Sequence, residues 1–238
     1  MKNIIVISIL ICLSVSCKKP VSSDSNAVSE KEALNALDTV VSPEMEYIDG
    51  KLAEKIKPAI DDWLKYYALD ISDFRTKQVS SLDIEKLKSD TAYSYHNYIG
   101  FTKGRNVYNP RFYDYSPDKS RYVNLLEASS VFLAEDGKYH FGGSDDNQGI
   151  SLFNRKDKSA VLVSYRGYSD SADAVFWIDD RMFVIVGYAA YNDPGEFTME
   201  VFDMEQNTKS KYILSRVRKT DKSYLMAVNM KNRNVIID

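Results

Sequence analysis

Two histidines, His96 and His140, and two cysteines, Cys12 and Cys17, supply all the imidazole and thiol chemistry of this 238-residue chain. A Ser-His-Asp triad needs a histidine beside an activated serine, and no G-x-S-x-G elbow accompanies either histidine. "GGS" at 142–144 reads as a loop opening, and each histidine reads as a surface or strand residue. A two-histidine metal site would need a tertiary coincidence that the spacing does not indicate. "GSDDNQG" (143–149) offers Asp145, Asp146 and Asn147 as oxygen donors of the kind calcium takes. The EF-hand spacing fails, because the twelfth position from Asp145 is Lys156, where a glutamate is needed. That segment reads as a hairpin loop. Asp61 and Asp62 read as the solvated face of a helix, and Asp179 and Asp180 as a turn. Glycosidase chemistry needs two carboxylates facing each other across a cleft, and no pairing is legible. The sequence therefore names no catalytic residue, no metal ligand and no cofactor.

The most distinctive stretch is "YSYHNYIGFTKGRNVYNPRFYDYSPDKSRY" (93–122), with seven tyrosines and two phenylalanines among 30 residues. Tyrosine offers a flat apolar face and a polar tip, which suits sugar rings and peptide chains. Arginine and tyrosine also dominate protein-binding hot spots. The prolines of "NPRF" (109–112) and "YSPD" (115–118) break regular structure and favour an exposed loop. Tyr95, Tyr98, Arg105, Arg111, Tyr113 and Tyr115 are thus the candidate ligand-binding residues. The alternative is that these rings cap the sheet and form its irregular edge.

The elements that must position such residues follow from periodicity. Ile56, Ile60, Trp63, Leu64 and Tyr67 repeat at helical spacing. Pro58 interrupts the pattern, so the expectation is a short helix over 46–56 and a better one over 58–68. "SSLDIEKLK" (80–88) adds a further helical turn or two. Beyond about Tyr93 the period becomes two. Runs at 121–126, 130–135, 138–141, 149–154, 159–165, 174–179, 181–189, 197–203, 210–215, 223–229 and 234–238 read as strands separated by turns. The spacing implies an antiparallel meander with no long helix between strands. The fold class is therefore mainly β (α+β), with short N-terminal helices packed on the meander through Trp63 and Tyr67.

The N-terminal region carries an address. Lys2 precedes an apolar run, Ile4 to Val15, broken only by Ser8 and Ser14. As a helix the run would reach about 18 Å, short of a hydrocarbon core of about 30 Å, but it suits a signal-peptide core. "LSVSCKKP" (13–20) then resembles the lipobox of bacterial lipoproteins, although Leu rather than Ser is usual at position 14. The resemblance implies cleavage before Cys17 and a diacylglycerol on its sulfur. One acyl chain anchors only marginally, whereas two or more hold for a protein's lifetime. Lys18 and Lys19 would sit at anionic headgroups. Cys12 would leave with residues 1–16, so the mature chain would hold no free thiol, disulfide or cysteine-bound zinc. Residues 17–41 read as a lipidated cysteine and tether, with a capping box at Ser29 and Glu32. Residues 42–92 read as a helical subdomain and 93–238 as the β domain. Lys18 is not the aspartate that retains some lipoproteins at the inner membrane, so the same resemblance implies the outer membrane.

A second resemblance lies in the β region. "YSPDKSRYV" (115–123), "VFWIDDRMFVIVG" (175–187) and "VFDMEQNTKSKYIL" (201–214) are similar to strands and turns of TolB-type β-propeller repeats. A blade takes about 40–45 residues and closure needs at least four blades. Residues 110–238 supply about three, so a blade-like or sandwich-like sheet is expected and not a full closed propeller. The net charge of −3 argues against nucleic-acid partners. The reading that results is a non-enzymatic, lipid-anchored binding or scaffold protein of the cell envelope, with a protein or glycan ligand. Its rivals are a polymer hydrolase using carboxylates and an immunity or inhibitor lipoprotein.

Overall fold

A computed structural model describes residues 45–84, 110–126, 129–144, 147–191 and 193–237. Helix α1 (Gly50–Tyr67) starts where the Asp49 carboxylate accepts the Leu52 amide at 3.0 Å, an N-cap that satisfies one orphan donor. Its buried stripe is Ala53, Ile56, Ile60, Trp63, Leu64 and Tyr67. The expected break at Pro58 does not occur, and one helix runs through it. Pro58 and Glu54, whose carbonyl loses its amide partner, both lie on the exposed face. Water can serve that carbonyl, and the apolar stripe on both sides of the proline holds the turns together.

Three sheets follow. The first has the order β1-β11-β10-β9-β8, formed by Arg75–Ser81, Thr208–Ser215, Glu196–Asp203, Met182–Ala189 and Asp170–Trp177. The second is β2-β3-β6-β7, formed by Asp114–Tyr115, Arg121–Val123, Gln148–Asn154 and Ser159–Arg166. The third sets β12 (Val235–Ile237) beside the β5–β4 hairpin (Tyr139–Ser144 and Ser129–Leu133). Among the described residues every strand pairing is antiparallel except β12 on β5, and no sheet closes on itself. The protein is mainly β, as its periodicity implies.

β9 and β10 are buried at every residue, because the five-stranded sheet is covered on both faces. One face carries Val184, Val186, Phe197, Met199 and Tyr212 against the stripe of α1. Trp63 has no exposure and meets Tyr67, Phe74 and Phe197 at ring-centroid separations of 5.7, 6.2 and 6.0 Å. The other face carries Val175, Phe183, Ile185 and Phe202 against Val123, Ile150, Leu152 and Val161 of the four-stranded sheet.

Two local expectations are corrected. "SYLMAVN" (223–229) is a wide helical turn, Leu225–Asn229, that runs into α2 (Met230–Asn232), and not a strand. The Ser223 hydroxyl accepts the Met226 amide at 3.3 Å, and the turn places Tyr224 on the α1 side and Leu225 on the opposite side of the five-stranded sheet. Ser80 and Ser81, read as the start of a helix, are the end of β1. β1 is a polar edge strand, mostly exposed, whose charges protect an otherwise open edge.

Candidate functional site

Three β-bulges decide where the buried charges lie. A bulge inserts one unpaired residue and re-aims the side chains that follow it. In β7 the register passes from Ser151↔Leu162 to Ile150↔Ser164, which leaves Val163 unpaired. Val161 faces inward before the bulge, while Ser164 and Arg166 face inward after it; Leu162 and Tyr165 are exposed. In β8 the register skips Asp173, and in β1 it skips Lys77. Gly187, opposite Ala172, makes the β8 bulge possible: a Cβ there would lie 2.1 Å from the Ser171 carbonyl oxygen.

Arg166 is the centre of the first cluster, at 1% exposure. Its Nη1 donates to Asp170 Oδ1 at 2.8 Å and to Thr198 Oγ1 at 2.9 Å, and its Nη2 to Glu200 Oε2 at 3.0 Å. The Ser164 hydroxyl also donates to Glu200 Oε2, at 2.5 Å, and Lys209 Nζ reaches Glu200 Oε1 at 3.1 Å. Glu196, Thr198 and Glu200 share one face of β10 by strand alternation, and Lys211 stands directly across from Glu200. Lys77, thrown out of register by its bulge, donates to Glu196 at 3.0 Å. Burial works to raise the Glu200 carboxyl, but Arg166, Lys209 and Ser164 together hold it below its usual range. Burial lowers the Lys211 ammonium, helped by the nearby Arg166 charge.

Exposed tyrosines stand at the end of the sheets where Asp170 and Glu196 lie. The β7–β8 and β9–β10 turns are joined where the Ala190 amide donates to the Ser169 carbonyl at 2.7 Å. Tyr165, Tyr168 and Tyr191 at this end are 62%, 79% and 53% exposed. Burial of its inner side, with Glu196 beside it, raises the Tyr191 phenol despite Lys77. Large rings exposed to solvent suit recognition of a polar polymer or a protein surface.

Asp173 forms the second cluster, between α1, β8 and the C-terminal helical turn. Its Oδ2 accepts Trp63 Nε1 at 3.1 Å and the Tyr67 hydroxyl at 2.9 Å, and its Oδ1 accepts the Leu225 amide at 3.3 Å. The Tyr67 hydroxyl in turn accepts the Tyr224 amide at 2.7 Å. Burial raises the Asp173 carboxyl, and these three donors oppose the rise only in part. Every partner lies in the core, so this cluster fastens elements and does not meet solvent.

Of the sequence-derived candidates, Arg111, Tyr113 and Tyr115 lie among the described residues. Cys17, Tyr95, Tyr98, Arg105, His96 and the Asp145–Asp146 pair lie outside them. Tyr113 stacks on Tyr122 at 4.2 Å, and Tyr122 stacks on its cross-strand partner Phe153 at 4.7 Å. Tyr115 tilts against both tyrosines, with the Arg155 guanidinium 5.8 Å from its ring. Arg111 donates to the Arg233 carbonyl at 2.9 Å and lies over Tyr139. Tyr113, Tyr115, Tyr122 and Phe153 make a ring ladder across β2, β3 and β6. Asp61 sits between Lys57 and Lys65 on the outer face of α1, and Asp179 pairs with Lys55 at 3.2 Å. His140 lies 3.5 Å from Asp136 and stacks on Phe132. No group of three or more metal-ligating side chains converges among the described residues.

The Arg166 cluster and its tyrosine rim escaped the sequence reading. The available signal was "EFTMEVF" beside "TKSKYIL": Glu196, Thr198 and Glu200 alternating with apolar residues on one strand, and two lysines at alternate positions on the next. Comparison with family models, curated proteins and solved structures finds no match to this chain.

Proposed function

We propose that this chain is a lipid-anchored binding or scaffold protein of the bacterial cell envelope, held through Cys17, at the outer rather than the inner membrane. It acts without catalysis, and it contacts a protein or glycan through the tyrosine-rimmed end. The observation that carries the binding reading is three exposed tyrosines, Tyr165, Tyr168 and Tyr191, at the end of the sheets where the β7–β8 and β9–β10 turns are joined, near the Arg166–Asp170 and Lys77–Glu196 ion pairs. Asp170 and Glu200 are both committed to Arg166, which supports binding over hydrolysis by paired carboxylates. The anchoring reading rests on the apolar run ahead of Cys17. No helix among the described residues is long and apolar enough to cross a membrane.

Metabolic labelling with an alkyne fatty acid tests the anchor. The wild-type chain is expected to take the label and to sediment with membranes, and Cys17→Ala to do neither. Retention of label and sedimentation by Cys17→Ala would remove the anchoring half of the proposal.

A further inference from the structure

A cavity of about 220 Å³ opens between the lower ends of the two large sheets. Register explains its make-up. Leu152 and Val161 are cross-strand partners and form an apolar floor, which Met204 and Ile84 complete. Two residue pairs nearer the strand ends, and so on the same face, Arg121, Asn154 and Ser159 align across β3, β6 and β7 and form a polar rim, with Asn207 opposite. Much of that rim is already occupied. Asn154 and Ser159 bond to Asp157 and the turn that follows β6. Arg121 is different: its guanidinium donates to the Asp180 carbonyl at 3.2 Å, and none of the ion pairs among the described residues includes it. The Asp118 carboxylate feels the Arg121 charge, but its Oδ1 already accepts from Ser116 and Ser120.

We infer that this cavity binds a small aliphatic carboxylate, its head on Arg121 and its tail against Leu152, Val161 and Met204. The floor favours carbon and excludes a bare polar ion, while the rim offers one guanidinium whose fork matches a carboxylate. An apolar cavity of about 150 Å³ holds a benzene ring, so about 220 Å³ accommodates a six-carbon chain with its head at the rim. The site lies on the inner face of the four-stranded sheet and shares no residue with the tyrosine rim, so it stands or falls separately from the contact proposed there.

The test titrates the purified full chain, labelled at methionine methyls, with hexanoate, hexanol and acetate. Hexanoate is expected to shift the Met204 methyl resonance saturably. Acetate and hexanol are each expected to bind at least about tenfold more weakly, having lost the tail or the charged hydrogen bond. Arg121→Gln should weaken hexanoate by at least about tenfold and leave hexanol unchanged. Met204→Trp should fill the cavity and weaken both. A Met204 methyl that does not respond to hexanoate would overturn the inference without any variant. So would hexanoate affinity that survives Arg121→Gln.

Discussion

Replacing Arg166 with alanine is expected to destabilise the fold by about 3–5 kcal/mol, because it leaves buried carboxylates without their counter-charge. Glu200 and Asp170 both depend on this guanidinium, and Thr198 is its third partner. In a body of this size each kcal/mol lowers the thermal midpoint by about 2–4 °C, so a fall on the order of 10 °C should appear by calorimetry. Arg166→Lys recovers little, since one ammonium cannot serve three acceptors arranged around a planar fork. The paired change Arg166→Met with Glu200→Leu should cost less than Arg166→Ala alone, because it removes the more buried carboxylate along with its partner and leaves only Asp170 without its counter-charge. The cluster also predicts an acid response. Glu200 is held below its usual range in the folded state. Its contribution is therefore present above the ordinary glutamate value of about 4.3 and lost as pH falls through the lower folded value. Glu200→Gln should flatten that acid limb. A pH profile unchanged by Glu200→Gln, or an Arg166→Ala midpoint within 2 °C of wild type (about 1 kcal/mol or less), would mean the charges are not coupled as described.

Asp173→Ala is expected to cost about as much, roughly 3–5 kcal/mol, by a different route. It strands three buried donors at once: the Trp63 indole, the Tyr67 hydroxyl and the Leu225 amide. Those donors sit on α1 and on the C-terminal helical turn, so the variant should loosen both from the five-stranded sheet. Hydrogen exchange should report faster opening at α1 and at 225–232 than in β9 and β10. Asp173→Asn keeps one oxygen acceptor and should cost less than alanine. Its pH dependence has the opposite sign to that of Glu200. The folded Asp173 carboxyl is raised, so the protonated form favours folding below the ordinary value of about 3.9, and that gain is lost as pH rises through the folded value. Asp173→Asn should abolish that loss. Equal stability of the alanine and asparagine variants at all pH values would sink the assignment of Asp173 as an acceptor hub.

How much of this was legible depends on which force decides each element. The α1 stripe through Ile56, Ile60, Trp63 and Tyr67 was readable because burial on one face sets helical spacing. The strands from 121 to 215 were readable because turn residues punctuate them. The helical turn at 225–229 was not, since its apolar residues divide between the two sides of the five-stranded sheet and mimic a buried strand. β1 was missed because an edge strand needs little apolar pattern. The bulges at Lys77 and Val163 had no sequence signature, and that at Asp173 only the glycine at 187 on the neighbouring strand, yet they are what bring Arg166 and Asp173 to their partners. The tyrosines of 93–122 drew notice by number. Those described stack along the sheet, whereas Tyr165, Tyr168 and Tyr191, spread through the chain, converge on one end only after folding.

The contact surface can be tested by immobilising the full chain, passing a cell-envelope extract over it and quantifying every retained species by mass spectrometry. The same experiment is run with the Tyr168→Ala, Tyr191→Ala double variant and with Tyr113→Ala. The double variant should lose the species captured by wild type by at least about tenfold, with a midpoint change equivalent to no more than about 0.5 kcal/mol per exposed ring. Tyr113→Ala should keep those species and lower the midpoint, because its ring is stacked on Tyr122. Wild-type retention by the double variant, or loss of the same species in Tyr113→Ala, would contradict the tyrosine rim as the contact.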